Sequence, residues 1–382
     1  MKFSFTDEQA MLRDSSAAFL ADKAPLSRVR EVMVSDAGFD RTLWQQITGE
    51  MYWQAILVPE EQGGLGLGFV ESVIVLEQIG LGLTPVPLAP VMVSTLALAS
   101  VGSAPRAEQL LEGIAEGGVV VLAHTAARPH WCAEGVAVAA TETAEGWQLS
   151  GEARFVPVGN EADDLLVVAR TDEGLGLFVL SPQDAGVTVT ATPTLDQTRV
   201  MASLCLQDCQ VDASACLSRN WAALAPVLDC ARILSGAEQV GCAQAALDQS
   251  VAYTEERVQF GRTIASYQAI KHKAADMMLK AESARSLLYY AACVADQWLQ
   301  THSADINLME AAAMLGSSAG DAAFFCAGTG IQLHGGVGIT EEYDIQLYFK
   351  RAQSLHGYLG RPDEFREQLA VLLLDEGTDH AA

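Results

Sequence analysis

Two segments in the C-terminal third of this chain carry residues that can bind a phosphate-bearing ligand. Arg257 can form charge-assisted hydrogen bonds with a phosphate oxygen, and Phe260 can pack against an apolar part of the same ligand. Gly335 and Gly336 allow a ligand to approach the backbone closely and can direct N–H groups at an anion. Two glutamine amides can contact a sugar or a phosphate: Gln268 and Gln332. Taken singly, the arginine also fits a solvated charge at a helix end, and the glycine pair fits a plain interhelical turn.

The spacing of apolar residues predicts the elements that hold these side chains. The pattern is helical in the first part of the chain, has the period of a β-strand in the middle, and becomes helical again towards the C-terminus. We therefore predict a multidomain α and β fold, with an N-terminal helical domain, a middle β domain and a C-terminal four-helix-type bundle. The predicted domains span 1–118, 119–217 and 218–382.

Composition and charge restrict the class of partner. The 382 residues are 50% apolar and 19% charged, which suits a large core and a buried subunit interface rather than disorder. With 23 Lys and Arg against 48 Asp and Glu, the net charge is −25. Nucleic acids and anionic membranes require clustered positive charge, so neither is predicted as a partner. The sequence lacks an apolar run of about 18 residues and begins without a signal-peptide pattern, so a cytoplasmic location is predicted.

The eight cysteines give no sign of a metal site. None of them forms a C-x-x-C pair, and no cluster of His and Cys has zinc spacing. Buried, reduced thiols of a cytosolic protein are the simpler interpretation, so no metal is predicted.

Both C-terminal segments resemble the acyl-CoA dehydrogenase family. The first is similar to the family's R-x-x-F-G-x-x-I…Q segment between two bundle helices. The second is similar to its Q-x-x-G-G-x-G-x-x-x-E-Y segment and the arginine that follows. Weaker similarities occur in the family's order across the rest of the chain. The strong matches span 253–270, 331–343 and 350–352, and the weaker ones span 59–66, 149–157 and 196–199.

The resemblance implies an FAD-dependent enzyme that removes a proton from the carbon alpha to a thioester, while hydride passes from the beta carbon to the flavin. It also implies that the C-terminal residues reach across a subunit interface to the flavin of a neighbouring subunit. The positions matched to cofactor contacts are Arg257, Phe260, Gln268, Gln332, Gly335, Gly336 and Phe155. Asp229 and Arg232 match positions that line the acyl-CoA site, and their i,i+3 spacing puts them on one helix face. A surface ion pair is an equally simple interpretation of these two residues.

The catalytic carboxylate is missing from both positions at which the resemblance places it. Some family members have Glu shortly after the conserved arginine of the second segment, where this chain has Leu359. Others have Glu directly before an arginine of the first bundle helix, where this chain has Ala231. Neither side chain can take a proton, as a general base must. The other titratable residues near these motifs are Glu238, Glu341, Glu342 and His356. The base is therefore left unassigned.

The residues that would face the chain's own flavin also depart from the family pattern. The usual T-E-P-G-A-G-S-D run is replaced by 124–131, and the usual W-x-T by Phe155, Val156 and Pro157. Phe155 can still stack on a flavin ring. Pro157 offers neither a hydroxyl nor a backbone N–H. The sequence thus predicts an eroded site for the chain's own flavin and a retained half-site for a neighbour's flavin.

Three functions are compatible with these residues. The leading hypothesis is a base-lacking subunit of a heteromeric (α2β2) acyl-CoA dehydrogenase that acts on bulky, steroid-derived acyl-CoA. Its partners would be the acyl-CoA substrate, a homologous acyl-CoA dehydrogenase subunit and electron-transfer flavoprotein as the acceptor. The first alternative is a self-sufficient homotetrameric enzyme with a non-standard base. The second is a flavin-free scaffold or acyl-CoA-binding subunit.

Overall fold

The computed structural model describes residues 5–35, 38–124, 132–302 and 307–375. These residues form two compact units, each assembled from segments that are distant in sequence. The first unit contains Met1–Val29, Phe69–Thr84 and Arg232–Ala382, and the second contains Arg30–Gly68 and Pro85–Ala231. The predicted boundaries at residues 118 and 218 follow the change of secondary structure along the chain, and they stay a prediction.

Helices occupy both ends of the chain, and strands occupy its middle. The helices are α1 (Asp7–Lys23), α2 (Leu26–Met33), α3 (Arg41–Gln46), α4 (Phe69–Gly82), α5 (Leu88–Ala99), α6 (Pro105–Ala115), α7 (Trp221–Glu256), α8 (Gln268–Thr301), α9 (Leu308–His334), α10 (Ile345–Gly357) and α11 (Pro362–Asp375). This order confirms the predicted fold class of N-terminal helices, a middle β domain and C-terminal helices. Of the described helices, none is long and apolar enough to cross a membrane.

The strands form one twisted sheet and one small hairpin. They are β1 (Val120–Ala123), β2 (Ala139–Thr143), β3 (Gly146–Pro157), β4 (Asp164–Thr171), β5 (Gly174–Leu180), β6 (Val187–Thr192), β7 (Met201–Val211), β8 (Cys216–Ser218), β9 (Val258–Gln259) and β10 (Arg262–Thr263). The sheet order is β6-β7-β3-β2-β4-β5-β8, and β1 joins β4 in parallel. Most of the other pairs are antiparallel, which allows alternating residues to face the core of the second unit. The hairpin of β9 and β10 belongs to the first unit.

Small residues let two helices of the first unit touch through their backbones. A Cβ atom placed on Gly80 of α4 would lie 2.3 Å from the carbonyl oxygen of Glu238 on α7. A Cβ atom on Gly241 of α7 would lie 2.1 Å from the carbonyl oxygen of Glu77 on α4. Real Cβ contacts are never this short, so both positions require glycine for the present packing.

A buried polar network fixes the same helices to α8. The Arg285 guanidinium donates to Glu77 through Nε (2.8 Å) and to the side-chain oxygen of Gln244 through Nη2 (2.8 Å). The Tyr289 hydroxyl donates to the second carboxylate oxygen of Glu77 at 2.8 Å. Glu77 is only 6% exposed. Both of its carboxylate oxygens accept hydrogen bonds, as a buried charge requires. The network holds the helices that carry the candidate site.

Candidate functional site

The first segment of the candidate site is a β-hairpin whose tip is an exposed phenylalanine. Gln259 of β9 pairs with Arg262 of β10, and the two residues between them form the turn. Phe260 has φ of +51° and Gly261 has φ of +79°, as a two-residue hairpin turn requires. Glycine adopts this conformation freely, whereas a bulky residue is strained in it. Phe260 is nevertheless placed there with 93% of its surface exposed.

Arg257 stands at the base of this hairpin with its backbone fixed and its side chain exposed. Its N–H donates to the carbonyl of Tyr253 at 2.9 Å, and its carbonyl accepts from the N–H of Ile264 at 2.8 Å. The Arg262 guanidinium lies 4.0 Å from the centroid of the Tyr267 ring and stiffens the other strand. A positively charged side chain on a rigid base suits an anionic ligand that approaches from outside this chain.

The second segment is the glycine turn after α9. Gly335 has φ of +65° and ψ of −141°, a combination that is open essentially only to glycine. A Cβ atom added at Gly335 or at Gly336 would meet no other described atom within 4 Å. Both glycines therefore present open backbone, which is the shape required to receive a phosphate group of a ligand held elsewhere. The residues present fit a flavin dinucleotide on this ground.

An aromatic cluster joins the two segments into one surface of the first unit. The ring of Tyr253 stacks on the ring of His334 with centroids 4.2 Å apart, and Tyr343 contacts both rings edge-on. The Tyr253 hydroxyl also donates to the His334 carbonyl at 3.3 Å. Since Tyr253 accepts the N–H of Arg257 and His334 directly precedes Gly335, the cluster positions the cation and the glycine turn together.

Two of the predicted cofactor contacts are exposed glutamines at the ends of helices. Gln268 is the first residue of α8 and is exposed. Gln332 lies near the end of α9 and lines a groove of about 430 Å³ between α8 and α9. Lys273 and Lys280 line the same groove together with Asp321, so two cations face one carboxylate there. The groove and the amide of Gln332 are thus also suited to an anionic ligand.

The space around Leu359 is closed. Leu359 is 6% exposed, and its carbonyl accepts a hydrogen bond from Nε of Arg232 at 3.2 Å. The guanidinium of Arg232 also lies 5.5 Å from the centroid of the Phe365 ring. The cavity that these residues line has a volume of about 10 Å³. A cavity of this volume holds about one water molecule, so it does not admit an acyl chain in this conformation. Asp229, the other predicted substrate contact, is half-buried on α7.

The remaining candidates for a base occupy different surroundings. Glu238 is buried, and its carboxylate lies 3.9 Å from Nη1 of Arg351, which is also buried. His356 is half-buried with Nε2 3.4 Å from a carboxylate oxygen of Asp321. Glu341 and Glu342 are exposed. Ala231, the second position at which Glu is expected, is buried.

The residues predicted to face the chain's own flavin lie in the second unit. Phe155 is half-buried at an irregular point of the β3–β7 register and has φ of +57°. Pro157 is buried and pairs with Met201 of β7. The segment 124–131 replaces the usual T-E-P-G-A-G-S-D run. His124 at its start is buried, and residues 125–131 lie outside the described residues. Two features escaped the sequence analysis: the hairpin, whose Phe-Gly turn lacks the usual Asn-Gly or Asp-Gly signal, and the Tyr253–His334 stack, which had no sequence signal.

Comparison with known proteins agrees with this arrangement. Residues 221–371 match the model of the acyl-CoA dehydrogenase C-terminal domain, and residues 6–118 match that of the N-terminal domain. Acyl-CoA dehydrogenase IpdE2 of Mycolicibacterium smegmatis is 33% identical over 96% of this chain and 98% of its own length.

Two solved structures share the fold over almost the whole chain. The Tcur3481-Tcur3483 steroid ACAD variant has a TM-score of 0.86 and 29% identity, covering 97% of this chain and 99% of its own. The ChsE4-ChsE5 complex from Mycobacterium tuberculosis has a TM-score of 0.87 and 27% identity, covering 98% and 99%. The chain therefore belongs to the acyl-CoA dehydrogenase family of flavin-dependent oxidoreductases.

Proposed function

We propose that this chain is a base-lacking subunit of a heteromeric acyl-CoA dehydrogenase and that it completes the FAD site of a homologous partner subunit. In such a complex bound FAD would supply an acceptor for the hydride of the beta carbon of the acyl group. The residues of this chain bind and orient the cofactor from across the interface, and the partner supplies the carboxylate that removes the alpha proton. The proposed cofactor contacts are Arg257, Phe260, Gln268, Gln332, Gly335 and Gly336.

The single observation that carries this proposal is the open surface formed by the hairpin and the glycine turn. Phe260 is 93% exposed in a strained backbone conformation, although a lone soluble chain would gain by burying the ring. Gly335 and Gly336 keep the adjacent backbone accessible. A ligand that is bound mainly by another subunit requires contact groups that face outward and are held rigidly. The Phe260 ring, the Arg257 cation and the open glycine backbone meet this requirement.

The closed space around Leu359 supports the proposal that this chain lacks a catalytic base. Neither Leu359 nor Ala231 can accept a proton, and Arg232 uses its Nε on the Leu359 carbonyl. We propose that Asp229 and Arg232 contact acyl-CoA. For this contact, Arg232 must exchange its hydrogen bond with the Leu359 carbonyl for one with the ligand. Phe155 keeps a ring that can stack on a flavin, whereas Pro157 lacks the N–H and hydroxyl of the usual residue.

The relatives support the partner and the substrate class. The ChsE4-ChsE5 structure is described as a complex, and the Tcur3481-Tcur3483 protein is described as a steroid ACAD. By analogy, the substrate of this chain's complex is a bulky, steroid-derived acyl-CoA, and its electron acceptor is electron-transfer flavoprotein. All eight cysteines are free, which suits a reducing compartment such as the cytoplasm.

Expression of the chain alone and together with a homologous subunit that retains the catalytic Glu tests the proposal. The lone chain should retain little flavin and reduce an electron-accepting dye with acyl-CoA very slowly. The complex should contain about one FAD for two chains and turn over steroid-derived acyl-CoA. A positioned general base typically contributes about 10²–10⁴-fold to the rate, so the difference should be plain.

The same experiment separates the alternatives. Robust turnover by the purified homo-oligomer with a full flavin complement would contradict the proposal and indicate a self-sufficient homotetrameric enzyme with a non-standard base. Tight binding of acyl-CoA by a complex that contains no flavin would instead indicate a scaffold or acyl-CoA-binding subunit. Reduction of electron-transfer flavoprotein by the complex, followed by its absorbance, tests the acceptor.

A further inference from the structure

The ring of Phe365 fills a socket whose walls are made of backbone. A Cβ atom placed on Gly316 of α9 would lie 2.6 Å from this ring, and one placed on Gly360 would lie 2.7 Å from it. Gly360 also has φ of +126°, a conformation that a residue with a side chain rarely adopts. The space between the two glycines, the ring socket, therefore has room for one aromatic ring, and Phe365 occupies it with only 6% of its surface exposed.

The ring socket lies beside the residues that are matched to the acyl-CoA site and to the base. Phe365 lines the cavity of about 10 Å³ together with Arg232 and Leu359. The guanidinium of Arg232 lies 5.5 Å from the ring centroid, within reach of a cation–π contact. The lining also includes four small residues: Ser235, Gly316, Gly320 and Gly360. The ring thus takes up the space that an apolar group next to Arg232 would need.

The helix that carries the ring is attached to the first unit through its first turn. Among positions 362–374 of α11, the buried residues are Pro362 and Phe365. Arg366 forms an ion pair with Asp321 at 2.8 Å, but the two side chains are 53% and 43% exposed, and such pairs contribute little to stability. Three apolar residues near the end of the helix are exposed: Val371, Leu373 and Leu374. Phe365 is therefore the largest buried side chain in this part of α11.

We propose that Phe365 is a plug that closes this chain's own acyl pocket, with its ring in the place of an apolar acyl group beside Arg232 and Leu359. The inference rests on the proposed function, in which Arg232 faces acyl-CoA. It goes further, because a chain that lacks only the base would still bind the thioester. A chain with a plugged pocket excludes the acyl group as well and leaves it to the partner subunit. The emptied pocket would take an apolar acyl group about as large as a benzene ring.

Two substitutions at Phe365 test the plug. Phe365→Ala empties the ring socket, and Phe365→Val leaves a smaller cavity that is easier for the fold to tolerate. The matched controls are Phe178→Ala and Phe178→Val, which remove a buried ring from the sheet of the second unit. Thermal unfolding shows which variants are folded at the temperature of the assay. Each folded full-length chain is then titrated calorimetrically with CoA, butyryl-CoA and hexanoyl-CoA.

The expected readout is a preference for the acylated ligand that grows with the length of the acyl chain. Phe365→Ala should bind hexanoyl-CoA at least about tenfold more tightly than CoA, because the acyl chain leaves water for an apolar cavity. Phe365→Val should prefer butyryl-CoA over CoA by about threefold for the same reason. The wild-type chain and the Phe178 variants should bind acylated and free CoA about equally. A purely structural role of the ring would change the melting temperature without creating this preference.

The outcomes separate the plug from the proposed function. If the folded Phe365 variants discriminate between acylated and free CoA no better than wild type, while the wild-type complex contains flavin, the plug is overturned and the heteromeric function stands. If the Phe178 variants acquire the same preference, any apolar cavity produces it and the plug is wrong. If the wild-type chain alone already binds hexanoyl-CoA tightly and oxidises it with a full flavin complement, both proposals fall.

Discussion

Nη1 of Arg351 lies 3.9 Å from a carboxylate oxygen of Glu238 in the interior of the first unit, where each side chain is at most 3% exposed. The pair links α7 to α10 and gives Glu238 a structural role. Replacing Arg351 with Met would leave a buried carboxylate without this cation. We expect the free energy of unfolding, measured by urea denaturation, to fall by about 3–5 kcal/mol. The double variant E238Q/R351M should lose less, because no lone charge remains. A variant E238Q that stays fully stable while the complex loses all turnover would instead identify Glu238 as a catalytic residue.

Arg257 should contribute to flavin retention in the complex. Its replacement with Ala removes a charge-assisted hydrogen bond of roughly 1.5–3 kcal/mol, which corresponds to about 10- to 150-fold in flavin affinity. Flavin content after gel filtration and a fluorescence titration with FAD measure the loss. Arg262→Ala is the matched control, because Arg262 is on the same hairpin and packs on Tyr267. Equal flavin loss in both variants would mean that the hairpin acts only through its fold.

Glu introduced at position 359 should not create an active lone chain. Leu359 is buried beside a cavity of about 10 Å³, so the new carboxylate has no adjacent space for a substrate. The chain would still lack the usual flavin contacts at Pro157. Burial of the carboxyl group should lower the unfolding free energy by about 1–3 kcal/mol relative to wild type. Dye reduction by the L359E homo-oligomer is the measurement, and turnover at a rate comparable to the co-expressed complex would show that the missing base is the sole defect.

His334 should make the glycine turn sensitive to acid. Burial lowers the pKa of His334, against the weaker effect of the hydrogen bond with the Gly330 carbonyl. The unfolded chain therefore takes up this proton first, and stability falls as the pH drops from about 6.5 towards the lower pKa of the folded state. His334→Phe keeps a ring to stack on Tyr253 but cannot be protonated. The decrease in melting temperature between pH 6.5 and pH 5 should be smaller in this variant, whereas the exposed control H272Q should match wild type. Equal slopes for H334F and wild type would contradict the prediction.

The sequence is enough to predict the order of helices and strands, because the spacing of the apolar residues indicates which residues face a core. Long Ala- and Leu-rich stretches predict α7, α8 and α9 for this reason. The resemblance identifies Arg257 and Gly335 as candidate cofactor contacts, but it does not indicate which contacts hold them in position. The Tyr253–His334 stack joins residues 81 positions apart, and nothing in either local sequence signals the contact. Closure of the space at Leu359 could not be predicted either, because it depends on how Arg232 and Phe365 meet it after folding.

The contact between α4 and α7 has a consequence for how the sequence of this chain can drift. A change from glycine to alanine needs a single nucleotide, yet at Gly80 or Gly241 the added methyl group would overlap a carbonyl of the facing helix. Such a change would be removed by selection for folding, whether or not the chain performs catalysis. Packing imposes no comparable requirement for a carboxylate at Leu359 or Ala231. The contact between α4 and α7 therefore constrains the sequence at Gly80 and Gly241 through folding alone, independently of any constraint that catalysis imposes on other positions.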